Sequence, residues 1–193
     1  MQNDTSFARL VSLACHDVRT PLATVHGFAA TLSKTMELAP PADRYVEMIE
    51  AASKQIAELL DELSVAARIE GGRYDPLERE ADTLAFAHAA AERLGADRVR
   101  VSGEGALVQT DVESVDRGVS ALVQATLRHG GLDEVDVVVN GKEIRVSPVT
   151  DSSAKVVLGQ DLRDLGAAVA VRVLAALGGS VSVSGQTLTL QLA

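Results

Sequence analysis

Hydrophobic and polar positions divide this chain into two parts with different periods. From about Asp4 to Met36, Phe7, Val11, Ala14, Val18, Val25 and Leu32 recur at spacings of three, four and seven, and Leu10, Leu13, Leu22 and Phe28 widen the stripe. That is the period of one face of a helix. One proline, Pro21, lies inside it. A proline there removes a hydrogen bond to the carbonyl of Asp17 and predicts a kink just beyond that residue. Pro40 and Pro41 end the helix, and Asp43 helps to start a second one from about Ala42 to Ile69. Its stripe is Val46, Ile49, Ser53, Ile56, Leu60, Leu63 and Ala67, with Leu59 alongside, and Gly71-Gly72 closes it. Each helix would be roughly 40 Å long. Two such helices on a short loop make an antiparallel hairpin, and a hairpin alone leaves much of its stripe wet. Pairing two hairpins into a four-helix bundle buries it, so a homodimer is expected.

Beyond Gly72 the period changes. Helices are expected at Asp82–Leu94, Val112–Arg128 and Leu165–Leu177, and short strands at Val99–Gly103 and Ala106–Thr110. Asn140-Gly141 between two β-branched runs predicts one hairpin, and Gly185-Gln186 in SVSVSGQTLTLQL predicts another. The fold class is therefore α+β, a long helical hairpin over residues 1–72 followed by a two-layer α/β sandwich over 73–193. No internal repeat or low-complexity stretch interrupts this plan.

Composition narrows the function. The formal net charge is −9 with no basic cluster, which argues against nucleic acid and for a protein partner. A lone Cys15 excludes an internal disulfide and fits a reducing compartment. No signal-peptide pattern opens the sequence, and no apolar run approaches the ~20 residues of a membrane helix, so a cytoplasmic protein with no membrane association is expected. Aromatics are 3% of the chain and Trp is absent, so Ala, Val and Leu must form the core.

The segment that carries chemistry is CHDVRTPL, Cys15 to Leu22. A helical histidine is a competent nucleophile near neutral pH. Asp17 can hydrogen-bond one ring nitrogen of His16 and leave the other to attack. Thr20 lies one turn further on the same face, where its hydroxyl can orient a water or a phosphoryl oxygen. Arg19 adds a cation. Cys15 reads as a small packing residue, His26 falls on another face, and His88 in its Ala-rich helix reads as structural. No pair of histidines has metal-ligand spacing with an acidic partner, so no metal site is expected.

CHDVRTPL resembles the H-box of sensor histidine kinases, S-H-E-L-R-T-P-L, and RYVEMIEAASKQIAELLDELSVAARIEGG resembles the second bundle helix of that family. The resemblance implies that His16 is the phosphoacceptor, Asp17 its acid or base partner and Thr20 the residue that positions a hydrolytic water. The second half resembles the kinase ATP-binding domain, with departures. In TDVESVDRGVSALVQATLRHGG, Asp111, Arg128 and His129 match the family pattern, but Ala121 and Ala125 stand where its two asparagines belong. The second of those asparagines holds Mg²⁺ in the family, and alanine offers no oxygen to a hard cation. IRVSPVTDSSAKVV lacks the D-x-G-x-G that reads adenine, and Asp151 is the nearest acidic residue. Gly166 survives in the phosphate loop, but Asp164 replaces the preceding glycine, where a carboxylate would repel phosphates.

The resemblance thus implies a histidine phosphotransferase with a vestigial ATP-binding domain. Such a protein carries phosphate on His16 between receiver-domain aspartates of response regulators, without self-phosphorylation and without ATP or Mg²⁺ of its own. Three other readings follow from the same residues: a response-regulator phosphatase using Asp17 and Thr20, a true kinase with an atypical ATP site, and a pseudokinase that only binds a regulator.

Overall fold

The computed structural model describes residues 5–193. They form two compact units, one ending at Arg73 and the other spanning Tyr74–Ala193. The first is a hairpin of two long helices, α1 (Thr5–Thr35) and α2 (Ala42–Glu70). The expected start at Asp4 lies outside the described residues. The helix α1 runs unbroken through Pro21. Gly71 caps α2, its amide donating to the carbonyl of Ala67.

The seam between the two helices is lined by small side chains. Ala8, Cys15 and Ala29 of α1 and Val46, Ser53 and Ala67 of α2 are its buried residues. Small residues let the helix backbones approach closely. Apart from Val46, the bulkiest members of the predicted stripes lie largely elsewhere: Phe7, Leu10, Val18, Val25, Phe28 and Leu32 on α1, and Ile49, Ile56, Leu59 and Leu63 on α2, are all exposed in the single chain. At about 100° per residue, this open face on each helix lies roughly a quarter turn from the seam. One chain therefore buries only one of two apolar faces.

The second unit contains β1 (Glu78–Asp82), α3 (Thr83–Leu94), β2 (Val99–Gly105), β3 (Leu107–Asp111), α4 (Val112–Gly130), β4 (Val135–Gly141), β5 (Glu143–Ser147), α5 (Asp151–Val157), α6 (Leu165–Ala176), β6 (Ser180–Ser184) and β7 (Thr187–Gln191). The strands β1 and β3 form a small antiparallel ribbon, and the other five form one sheet in the order β2-β4-β5-β7-β6. Only β2 and β4 pair in parallel. The core lies between this sheet and the helices. Val137, Val139, Ile144, Val146, Leu188 and Leu190 from the sheet meet Val115, Val119, Leu122 and Val123 of α4 and Leu174 of α6, all essentially inaccessible to solvent. Buried Thr83 ties the layers together, donating to the carbonyl of Gly141 and accepting from the amide of Ala106.

Three details differ from the sequence expectation. The β4–β5 hairpin forms, but Asn140 is still paired, opposite Glu143. The turn residues are Gly141 and Lys142, and Gly141 takes the positive φ of 61°. A two-residue turn with glycine first matches strand twist as well as the expected Asn-Gly pair would, with the register moved by one. Second, the segment after β5, for which the sequence predicts no element, contains the helix α5. The β1 strand was also not foreseen, because EREAD is polar and alternates weakly.

Candidate functional site

His16 sits midway along α1 on the face turned away from the open apolar stripe, and its side chain is 77% exposed. Its Nδ1 lies 3.2 Å from Oδ1 of Asp17. With Nδ1 engaged by a carboxylate, Nε2 is the ring nitrogen available as a nucleophile. Thr20 is exposed one turn along. His16, Arg19, Thr20, Ala23 and Thr24 line an open hollow on α1. The helix thus brings His16, Asp17, Arg19 and Thr20 to one surface.

Arg19 is not simply a nearby cation. Its Nη2 donates to Oδ1 of Asp61 on α2 at 2.6 Å, bridging the two helices at the level of His16. The sequence reading missed Asp61. Its only signal was an acidic residue at the border of the α2 stripe, and nothing in linear sequence places it opposite Arg19. Cys15 is buried in the seam, in keeping with a packing role. His26 and His88 are both exposed, so His88 is a surface residue of α3 and not part of a core. Among the described residues no three His, Cys, Asp or Glu side chains cluster as metal ligands would.

In the second unit, the positions matching the nucleotide motifs are engaged in packing. Ala125 on α4 is completely buried and Ala121 packs against the same core. The segment after β5 is closed, with Val149 buried, Thr150 and Ser153 forming a reciprocal capping box at the start of α5, and Val156 and Val157 of α5 at 0% exposure. The helix α5 packs on both α4 and α6. Asp151 is exposed in the first turn of α5.

Asp164 stands just before the first residue of α6. It is the N-cap of α6, and its Oδ1 accepts from the amide of Ala167 at 3.0 Å. Its Oδ2 lies 3.0 Å from Nε2 of His129 at the end of α4, and the two side chains are only 14% and 15% exposed. A helix N-terminus offers unpaired amides to an anion, and here the chain's own carboxylate takes that place beside Gly166. Ser152 of α5 donates to the carbonyl of His129, so α4, α5 and α6 meet at this point. Asp111, which also matched the family pattern, caps α4 by accepting from the amide of Ser114, and Tyr74 donates to its second oxygen.

Residues 8–72 match the family model of the His Kinase A (phospho-acceptor) domain. Over these residues the hairpin is similar to the phospho-acceptor domain of histidine kinases. Among solved structures, the chain is similar in fold to full-length ShkA, crystallised in complex with AMPPNP, at 17% identity and a TM-score of 0.67, covering 94% of this chain and 44% of that one. It is also similar to the Acinetobacter baumannii histidine kinase AdeS, at 15% identity and a TM-score of 0.60, covering 92% of this chain and 97% of that one. The chain therefore spans less than half the length of ShkA. Comparison with curated proteins gives no significant match. The architecture, two long helices followed by an α/β domain, resembles that of histidine kinases, and His16 lies within the matched segment. Among the described residues no helix is long and apolar enough to cross a membrane.

Proposed function

We propose that this protein is a phosphotransfer component of two-component signalling that carries phosphate on His16 and does not charge itself from ATP. The observation that carries the second half of this reading is the closure between α4 and α6. Nucleotide chemistry in this fold needs carboxamides on α4, an adenine-reading loop after β5 and glycine backbone at the start of α6. At these places stand buried Ala125, the capped helix α5 with fully buried Val156 and Val157, and Asp164 held by His129. Three independent departures at one site argue together where one would not.

The phosphoryl group then comes from, and goes to, receiver-domain aspartates. Nε2 of His16 attacks the phosphorus of an aspartyl phosphate. The P–N bond forms as the P–O bond to the carboxylate breaks, and the ring proton is lost to a base such as Asp17 by way of water. Catalysis is mainly positioning, and the receiver supplies Mg²⁺. The uncovered apolar faces of α1 and α2 support a homodimer in which two hairpins form a four-helix bundle. His16 lies on the opposite side of α1 and stays accessible in it. Exposure of Thr20 in the same hollow as His16 favours a second activity, hydrolysis of the receiver's aspartyl phosphate.

The decisive experiment is incubation of the purified protein with radiolabelled ATP and Mg²⁺, beside incubation with a phosphorylated receiver. We expect no label from ATP and an acid-labile, base-stable label on His16 from the receiver, absent in His16→Gln. Label from ATP on the wild type alone would overturn the reading in favour of an ordinary kinase.

A further inference from the structure

We propose that Asp61 is a positioning residue that holds Arg19 in the unphosphorylated hairpin and releases it to the phosphoryl group once His16 is charged. The inference rests on the reading of His16 as the phosphoacceptor.

Three observations carry it. Arg19 lines the same hollow as His16 and Thr20, and residues three apart on a helix are neighbours on its surface. Its Nη2 is bonded to Asp61 Oδ1 at 2.6 Å, across the seam. Both side chains are about two-fifths exposed, 43% and 41%. A half-exposed pair of this kind is weak, because water and salt screen it. A guanidinium carries five N–H donors in a plane suited to oxyanions. A phosphoryl group on His16 brings three acceptor oxygens and close to two negative charges to within reach of Arg19. It draws Arg19 from a carboxylate already half in water, without displacing that carboxylate altogether. Asp61 and the phosphoryl group thus compete for one cation, and the occupant of Arg19 reports the state of His16.

The chemistry gives this exchange a measurable consequence. Hydrolysis of a phosphohistidine breaks the P–N bond through a loose transition state driven by the negative charge on the phosphoryl oxygens. A guanidinium on those oxygens withdraws that charge and slows the loss of the group. Asp61, by pulling Arg19 back, shortens the life of the phosphohistidine and keeps the group transferable.

The test uses potassium phosphoramidate, a small donor that needs neither ATP nor a receiver. The ring nitrogen attacks phosphorus, the P–N bond to ammonia breaks, and the imidazole proton leaves with the ammonia as ammonium. The whole chain is charged, freed of donor, and the decay of label followed. We expect Asp61→Asn, which keeps the shape of the side chain, to lengthen the phosphohistidine half-life about 2- to 5-fold. Arg19→Gln should shorten it, and Arg19→Lys should recover part of the loss. Adding Asp61→Asn to Arg19→Gln should change nothing further, which separates positioning through Arg19 from a general loosening of the hairpin. Equal half-lives in wild type and Asp61→Asn, or an effect of Asp61→Asn that persists without Arg19, would overturn the inference and leave His16 as phosphoacceptor. Failure of His16 to take label at all would instead overturn the reading beneath it.

Discussion

At the scale of single residues, the chemistry of His16 depends on an arrangement one helix provides by itself. A carboxylate at the next position can reach Nδ1, and a hydroxyl four residues on shares its face, whatever else the fold does. His16→Gln should therefore abolish phosphoryl acceptance, while far-UV circular dichroism and oligomeric state stay as in the wild type. Thr20→Ala should leave acceptance within about twofold and reduce hydrolysis of a receiver's phosphate at least tenfold, as removal of a water-positioning group does. A titration measurement addresses the sheet. Arg100 on β2 is paired across the ladder with Asp136 on β4, and bonds Asp136 and Glu134 at 2.8 and 2.7 Å. The hydrogen bond from Arg100 holds the Asp136 carboxyl below its usual range. A depressed carboxyl stabilises the fold above its unfolded value and loses that contribution as pH falls through the folded one. The difference in urea midpoint between wild type and Asp136→Asn should be small at pH 7, because the pair is exposed. It should begin to fade below about pH 4, the ordinary carboxyl range, and vanish only once the pH is below the depressed folded value.

Elements obeyed their periodicity where it was strong. Both long helices, the helices α3, α4 and α6, and both tight hairpins were legible, because amphipathic stripes and glycine turns are local properties of the chain. What escaped was α5. SPVTDSSAKVV offers only seven helical residues, too few for a hydrophobic period, and its stability comes from the Thr150–Ser153 box and from burying Val156 and Val157 against α4 and α6. Val157→Ala should cost about 2 kcal/mol in urea unfolding. Asp164→Ala should cost about 1–2 kcal/mol, since a helix cap and the partner of His129 disappear together. Restoring one family residue should not restore its chemistry: Ala125→Asn puts a carboxamide into a closed core and should destabilise by about 1–3 kcal/mol. Calorimetric titration with ATP and Mg²⁺ should show no binding in that variant.

For the whole molecule the main quantity is the uncovered apolar face of the hairpin. If it is the dimer interface, Val25→Glu together with Ile56→Glu should convert the dimer to a monomer by light scattering. Near-ultraviolet signals of Phe86 and Tyr74 in the second unit should not change.

By itself the sequence determined the amphipathic helices, the two tight turns, and the placing of a helical histidine beside a carboxylate with a hydroxyl one turn further on. Those are matters of residue type and short spacing along the chain. The tertiary structure alone decided which apolar face fills the hairpin seam, because on α1 a row of small residues runs beside the bulky stripe and only close approach of two helices selects it. It also decided the pairing of Arg19 with Asp61 and of Asp164 with His129, contacts 42 and 35 residues apart in sequence. Linear spacing carries no information about such partners, since they meet only after the chain has packed.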